Sequence, residues 1–360
     1  MNKVLTLKKT TRSSLITYGL VVFAYLAVRI LESGGNLTNA FRGQLVPICA
    51  YIVMAVSLNL TVGILGELSL GHAGFMSIGA FTGVIASVSL QRTMTSSALT
   101  LALAMLLGAV FAGLAGIVIG VPALRLRGDY LAIVTLAFGE IIKNIVNTLY
   151  IGIGQDGLRI NMTNSAALNL GEGGTVILNG PMGAIGISRI ATFTSGFILI
   201  LITLFIVLNL KNSRSGRAIM AIRDNRIAAE SVGISITRYK LMAFITSAAL
   251  AGAAGTLYAL NFSTVVARTF DFNTSILVLV FVVLGGMGNI RGSIIAAAAL
   301  TILPELLRAF NSYRMMIYAV ILILVMLATN NEQLRNLIKK LTSRLDILKP
   351  AHRKGESAHE

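Results

Sequence analysis

Charge is scarce in this chain: Asp, Glu, Lys and Arg fill only 12% of its 360 positions, against 55% for hydrophobic residues. A water-soluble domain carries roughly twice that charged fraction, so an ordinary soluble fold is excluded. Cysteine occurs once, as Cys49 inside an apolar run. That excludes a disulfide framework and a cysteine-based zinc site, and leaves a thiol packed between helices. The three histidines (His72, His352 and His359) show no metal-ligand spacing, so no metal is expected. Nor is there a G-x-x-x-x-G-K-[ST] run to cradle ATP phosphates. The superficially similar Gly285–Gly288 run before Arg291 lacks the Lys-Ser/Thr pair and reads as a turn or helix break. No catalytic constellation emerges, and the chain is not expected to be an enzyme.

What is present is a series of apolar blocks long enough to cross a bilayer, about 17 to 25 residues each. Ten spans are predicted, at 14–31, 44–61, 74–90, 97–121, 130–151, 190–210, 241–261, 273–286, 292–310 and 315–329. The first is read as a retained helix rather than a cleaved leader, because no small-residue cleavage site follows it. The expected class is therefore an all-α polytopic membrane protein with about ten transmembrane helices. It divides into a basic tail (1–13), a membrane domain (14–330) and a second basic tail (331–360).

The net charge of +16 could point to nucleic acid, but twenty-one of the thirty Lys and Arg fall in the two tails, at Arg125, Arg127 and Arg291, and in 211–240. That asymmetry is the positive-inside pattern and needs no nucleic acid. It places both termini and the 211–240 segment in the cytoplasm of a bacterial inner-membrane protein. It places the nearly uncharged stretch 152–189 outside, as a loop long enough to serve as a docking surface.

Small residues recur every four positions at Gly108, Ala112, Gly116 and Gly120. In lipid, close approach over such residues supplies packing energy, either within one subunit or along a subunit seam. Ionisable residues at membrane depth are costly. Glu140 and Lys143, one turn apart in the fifth predicted span, are either a neutralising structural pair or part of a translocation route. Glu305 and Arg308 are expected to reach toward the interface. Glu67 and His72 flank a Gly-punctuated stretch between the second and third spans, which reads as an inward turn or a re-entrant gate.

In the 211–240 segment, Ser213 or Ser215 can cap a short helix with Ile219, Ile222 and Ile227 on its apolar side. Ala228, Ala229 and Glu230 then make a compact surface stopped by Gly233, with Arg223 and Asp224 flanking it. By itself this is equally a solvated basic loop.

The run AIRDNRIAAESVGI (Ala221–Ile234) resembles the coupling-helix region of ABC-importer permeases, where an Ala-Ala…Gly signature docks into an ATPase. GELSLGHAGFMSIGAFTG (Gly66–Gly83), LRLRGDYLAIVTLAFGEI (Leu124–Ile141), RYKLMAFITSAALAGAAGTLYA (Arg238–Ala259) and SILVLVFVVLGGMGNIRGSIIAAAALTILPELLR (Ser275–Arg308) resemble the branched-chain amino acid permease family, in its longer M-type form. The resemblance implies a type II-like importer transmembrane domain and half of a translocation pore. Its implied partners are a second homologous permease, two ATP-binding cassette subunits, a periplasmic binding protein and membrane lipid. ATP would be bound by the partners, with no cofactor in this chain. Coupling would fall to Arg223, Asp224, Ala228, Ala229, Glu230 and Gly233. A permease for urea, short amides or a simple sugar is the alternative of the same class. An ion-coupled carrier is the alternative of another.

Overall fold

The computed structural model describes residues 9–35, 38–124, 130–154, 157–170 and 174–330. The C-terminal tail, most of the N-terminal tail and the turn at Arg125 and Arg127 lie outside the described residues. The chain divides into two units with the boundary after Glu305.

In the first unit the helices are α1 (Lys9–Ser33), α2 (Asn39–Asn59), α3 (His72–Gln91), α4 (Ser97–Ala123), α5 (Tyr130–Thr148), α6 (Phe193–Asn212), α7 (Arg214–Asp224), α8 (Arg226–Ser231), α9 (Ile236–Ala259), α10 (Phe272–Gly285) and α11 (Ile290–Leu306). The second unit holds a 3-10 stretch, Leu307–Tyr313, and then α12 (Arg314–Asn330). Each of the ten stretches read as spans carries a helix. Seven of these helices, α1–α6 and α9, are long and apolar enough to cross a membrane. The other three, α10, α11 and α12, have 14, 17 and 17 residues. α1 begins at Lys9, and its part apolar enough to cross a membrane is Ser14–Ser33.

Local chemistry sets the helix starts. Thr192 and Ser195 form a reciprocal capping box on α6, and Asp271 accepts from the Thr274 amide to cap α10. Packing then turns on glycine. A Cβ on Gly79 of α3 would fall on the Gly252 backbone of α9, and one on Gly255 would fall on the Met76 carbonyl. Gly108, Ala112 and Gly116 of α4 press on Thr256, Gly252 and Ala248 of α9. The small-residue stripe therefore joins two helices of one chain.

The all-α expectation needs correction. Five antiparallel strands form a sheet in the order β2-β1-β3-β4-β5: β1 (Tyr150–Gly154), β2 (Gly157–Asn161), β3 (Thr175–Asn179), β4 (Ala184–Ile185) and β5 (Thr264–Val265). Four of the strands lie in the stretch read as an outside loop, and the fifth follows α9. Ile151, Ile153 and Leu178 are buried beneath it, so the apolar residues of a Gly-rich segment make a small core. Gly183, at φ +71, makes the turn into β4, where a Cβ would strike the Val265 carbonyl.

Candidate functional site

Two parts of the first unit meet at the end of the bundle away from the sheet: the stretch after α2 and the α7–α8 segment. Residues Leu60–Leu65 continue α2 as a π-helical turn, a form concentrated at functional sites. Gly66 then stops it in the left-handed region at φ +81. The next five residues run back into the bundle, so that His72 at the start of α3 lies beside Ser57 of α2, with its Nε2 2.8 Å from the Ser57 Oγ. From Ser57 to Leu65 is about 12 Å of helix, which measures how far the chain re-enters.

Polar groups on three helices hold this stretch. The Leu70 amide donates to Thr135 Oγ1 of α5 at 3.1 Å, and the Ala73 amide donates to Ser275 Oγ of α10 at 3.1 Å. The latter satisfies one of the orphan amides at the start of α3. Buried Asn59 donates to Ser293 Oγ of α11 at 2.7 Å and accepts from the Gly288 amide at 2.8 Å.

Glu67 pairs with Lys240 of α9, whose side chain is only 6% exposed. A buried ammonium of this kind is tolerated only beside its counter-charge. Sequence reasoning placed Lys240 only as the last residue of a basic cytoplasmic segment, and it missed Asn59, Ser57, Thr135 and Ser275. A signal was present: Ser57, Asn59 and Thr61 are polar residues inside an otherwise apolar span.

The α7–α8 segment is a compact helical pair. Ser213 caps α7 by accepting from the Gly216 amide at 3.1 Å, and Asn225 caps α8 by accepting from the Ala228 amide at 3.0 Å. Gly233, at φ +82, ends it. Ile222, Ala229 and Ile236 form a small core with Ile234 and Tyr239 against it.

Two sequence readings change here. Ala229 faces inward, so it is not part of an exposed docking surface, whereas Ala228, Glu230 and Gly233 are exposed. Ile227 faces outward, 81% exposed, and Val232 is 74% exposed. Arg223 turns toward the bundle: it donates to the Gly63 carbonyl at 3.1 Å and pairs with Asp224 at 2.9 Å. Lys211 donates to the Gly288 carbonyl at 3.0 Å. Cations thus cover the free carbonyls where α2 and the α10–α11 turn end, and they tie α7 directly to the re-entrant stretch. Ala229→Asp is therefore expected to unfold the α8 turn rather than merely repel a partner, at a cost of several kcal/mol for a buried lone carboxylate. Limited proteolysis within 225–235, compared with Ala228→Asp, checks this.

Glu140 and Lys143 pair with each other on α5, both partly exposed. Glu140 borders a narrow crevice with Leu70, Gly74, Asp271 and Ser275, which puts it next to the re-entrant stretch. The three site clusters are thus contiguous. Among the described residues no group of three or more His, Cys, Asp or Glu could hold a metal.

The bundle is thus wired to a small exposed helical pair, and comparison with known proteins decides the family. The family model of the branched-chain amino acid transport system permease component matches residues 43–326. The chain belongs to this permease family. It is 36% identical over 327 residues to the high-affinity branched-chain amino acid transport permease LivM of Salmonella typhimurium, covering 88% of this chain and 74% of that one. It is 37% identical over the same length and coverage to LivM of Escherichia coli K12. The fructose import permease FruG of Bifidobacterium longum is 26% identical over 266 residues, 72% of each chain. No solved structure matches at a significant level. In this permease, the re-entrant stretch and α7–α8 both lie inside the matched region.

Proposed function

We propose that this permease forms half of the pore of an ATP-driven importer for leucine, isoleucine and valine. The observation that carries the substrate class is the 36–37% identity to the two LivM proteins over 88% of the chain, against 26% to the sugar permease. In this reading ten helices cross the inner membrane, both termini are cytoplasmic and the sheet lies outside, where a periplasmic binding protein docks. A second homologous permease completes the pore. Two ATPase subunits bind ATP and grip α7–α8 through Ile227, Ala228, Glu230 and Val232, which are exposed. When the ATPases close, α7 pulls on Gly63 through Arg223, and the re-entrant stretch with Glu67 and His72 moves as a gate. The docked pair biases a two-state bundle by its differential contacts in the two states.

Uptake of radiolabelled leucine with and without this gene tests the reading, with valine, fructose and urea as competitors. Loss of uptake on deletion, with competition by valine alone, is expected. Unchanged uptake in a strain lacking other leucine systems would overturn the substrate assignment.

The docking surface has its own test. Ile227→Asp with Val232→Asp should leave membrane yield intact, because both side chains are exposed. Each removes an apolar anchor worth about 2 kcal/mol, roughly thirtyfold in affinity. Copurification of the ATPase and transport-coupled hydrolysis should both fall; full retention of the ATPase would refute the assignment.

A further inference from the structure

Between α1, α2, α6 and α11 lies a partly open cavity of about 390 Å³, apart from the re-entrant stretch and α7–α8. Leu20, Ala24 and Val28 on α1 face Cys49 of α2, Phe197 of α6 and Ala298 of α11 across it, and its wall is almost wholly apolar. An apolar space of this kind does not hold water, and an empty one forfeits dispersion contacts along its whole lining. From Leu20 to Val28 is about 12 Å along the helix, close to the ~15 Å hydrocarbon depth of one leaflet.

One end of the cavity is chemically marked. Tyr25, in its wall, stacks on Phe197 and Phe193 with ring centroids 4.0 and 5.2 Å apart. Arg29, one turn further, donates to the Tyr25 hydroxyl at 3.1 Å, to Thr194 Oγ1 at 2.6 Å and to Glu32 at 3.0 Å. The Arg29 and Glu32 side chains remain 46% and 30% exposed. A cation and an anion therefore stand side by side at the sheet end of α1, above an apolar slot one leaflet deep.

We propose that this cavity holds one acyl chain of a zwitterionic phospholipid from the leaflet at the sheet end. The lipid phosphate lies on Arg29 and its ammonium on Glu32. The bound lipid fills the seam between α1 and the rest of the bundle. Nothing in this depends on which solute the permease carries.

The chain contains no Trp, so Phe197→Trp makes a unique fluorophore in the cavity wall. Phe23→Trp, on the 75% exposed face of α1, serves as the reference. Full-length protein stripped of lipid in detergent is titrated with phosphatidylethanolamine brominated on its acyl chains. Quenching at 197 is expected to saturate, with half-quenching at roughly tenfold less lipid than at 23, and unbrominated phosphatidylethanolamine should reverse it. Ala298→Phe, which fills the slot, should abolish the saturable phase. Ala24→Val replaces it if that variant does not elute as folded protein. Arg29→Gln should shift the titration to higher lipid. Parallel quenching at 197 and 23, saturation unchanged in a folded filling variant, or loss of quenching as protein concentration rises (a second copy seated in the slot) would each overturn the proposal.

Discussion

Lys240→Met alone is expected to abolish transport, and combining it with Glu67→Gln should recover a large part of it. The two side chains are 173 positions apart, pair with each other and are 6% and 17% exposed. Removing the ammonium leaves a carboxylate buried among helices at a cost of about 3–5 kcal/mol. Replacing both partners removes the charge and its counter-charge together, which is often near neutral. The pair also joins the re-entrant stretch to the start of α9, immediately after α7–α8. Under the proposed function, Glu67→Gln alone should therefore raise the ATP hydrolysed per leucine taken up even where folded protein is recovered. The check is a double-mutant cycle read on detergent-stable yield and on that ratio. Additive losses, with the double variant worst, would mean that the two residues act separately.

Gly79→Val should yield no folded protein, whereas Gly19→Ala should be neutral or mildly stabilising. A Cβ at 79 would coincide with the Gly252 backbone, which cannot swing aside as a side chain could. Overpacking of an ordinary core costs about 1–3 kcal/mol, and here α3 and α9 would have to separate along their length. At Gly19 nothing lies within 4 Å of the added carbon, and Ala gains up to about 1 kcal/mol of helix propensity over Gly. Thermal stability by size-exclusion profile distinguishes the two. A Gly79→Val protein that elutes normally would show that these helices do not pack over glycine.

The α7–α8 segment shows how far its sequence could be read. Its cap at Ser213, its stop at Gly233 and the burial of Ile219 and Ile222 follow from local chemistry, and all are found. The facing of Ile227 and Ala229 does not, because α8 is only six residues long and packs on the start of α9 rather than continuing the face of α7. The outer sheet escaped for a related reason: its strands are two to five residues long, and one of them comes from beyond α9. No window along the chain contains that pairing.

The sequence by itself determined the membrane class, the positions of the seven helices long and apolar enough to span, the lack of an ATP-cradling loop and the family. It could not determine which apolar residues pack inside this chain and which stay exposed on it. In a soluble protein those faces differ in polarity; in a bilayer the solvent is itself apolar. α2 and α4 are comparably apolar, yet α2 is 94% buried over its span window and α4 only 28%. Only the tertiary structure separates them. It alone brings Glu67 to Lys240, Asn59 to Ser293 and Arg223 to Gly63, since each contact closes a loop of well over a hundred residues and leaves no periodic trace in the chain.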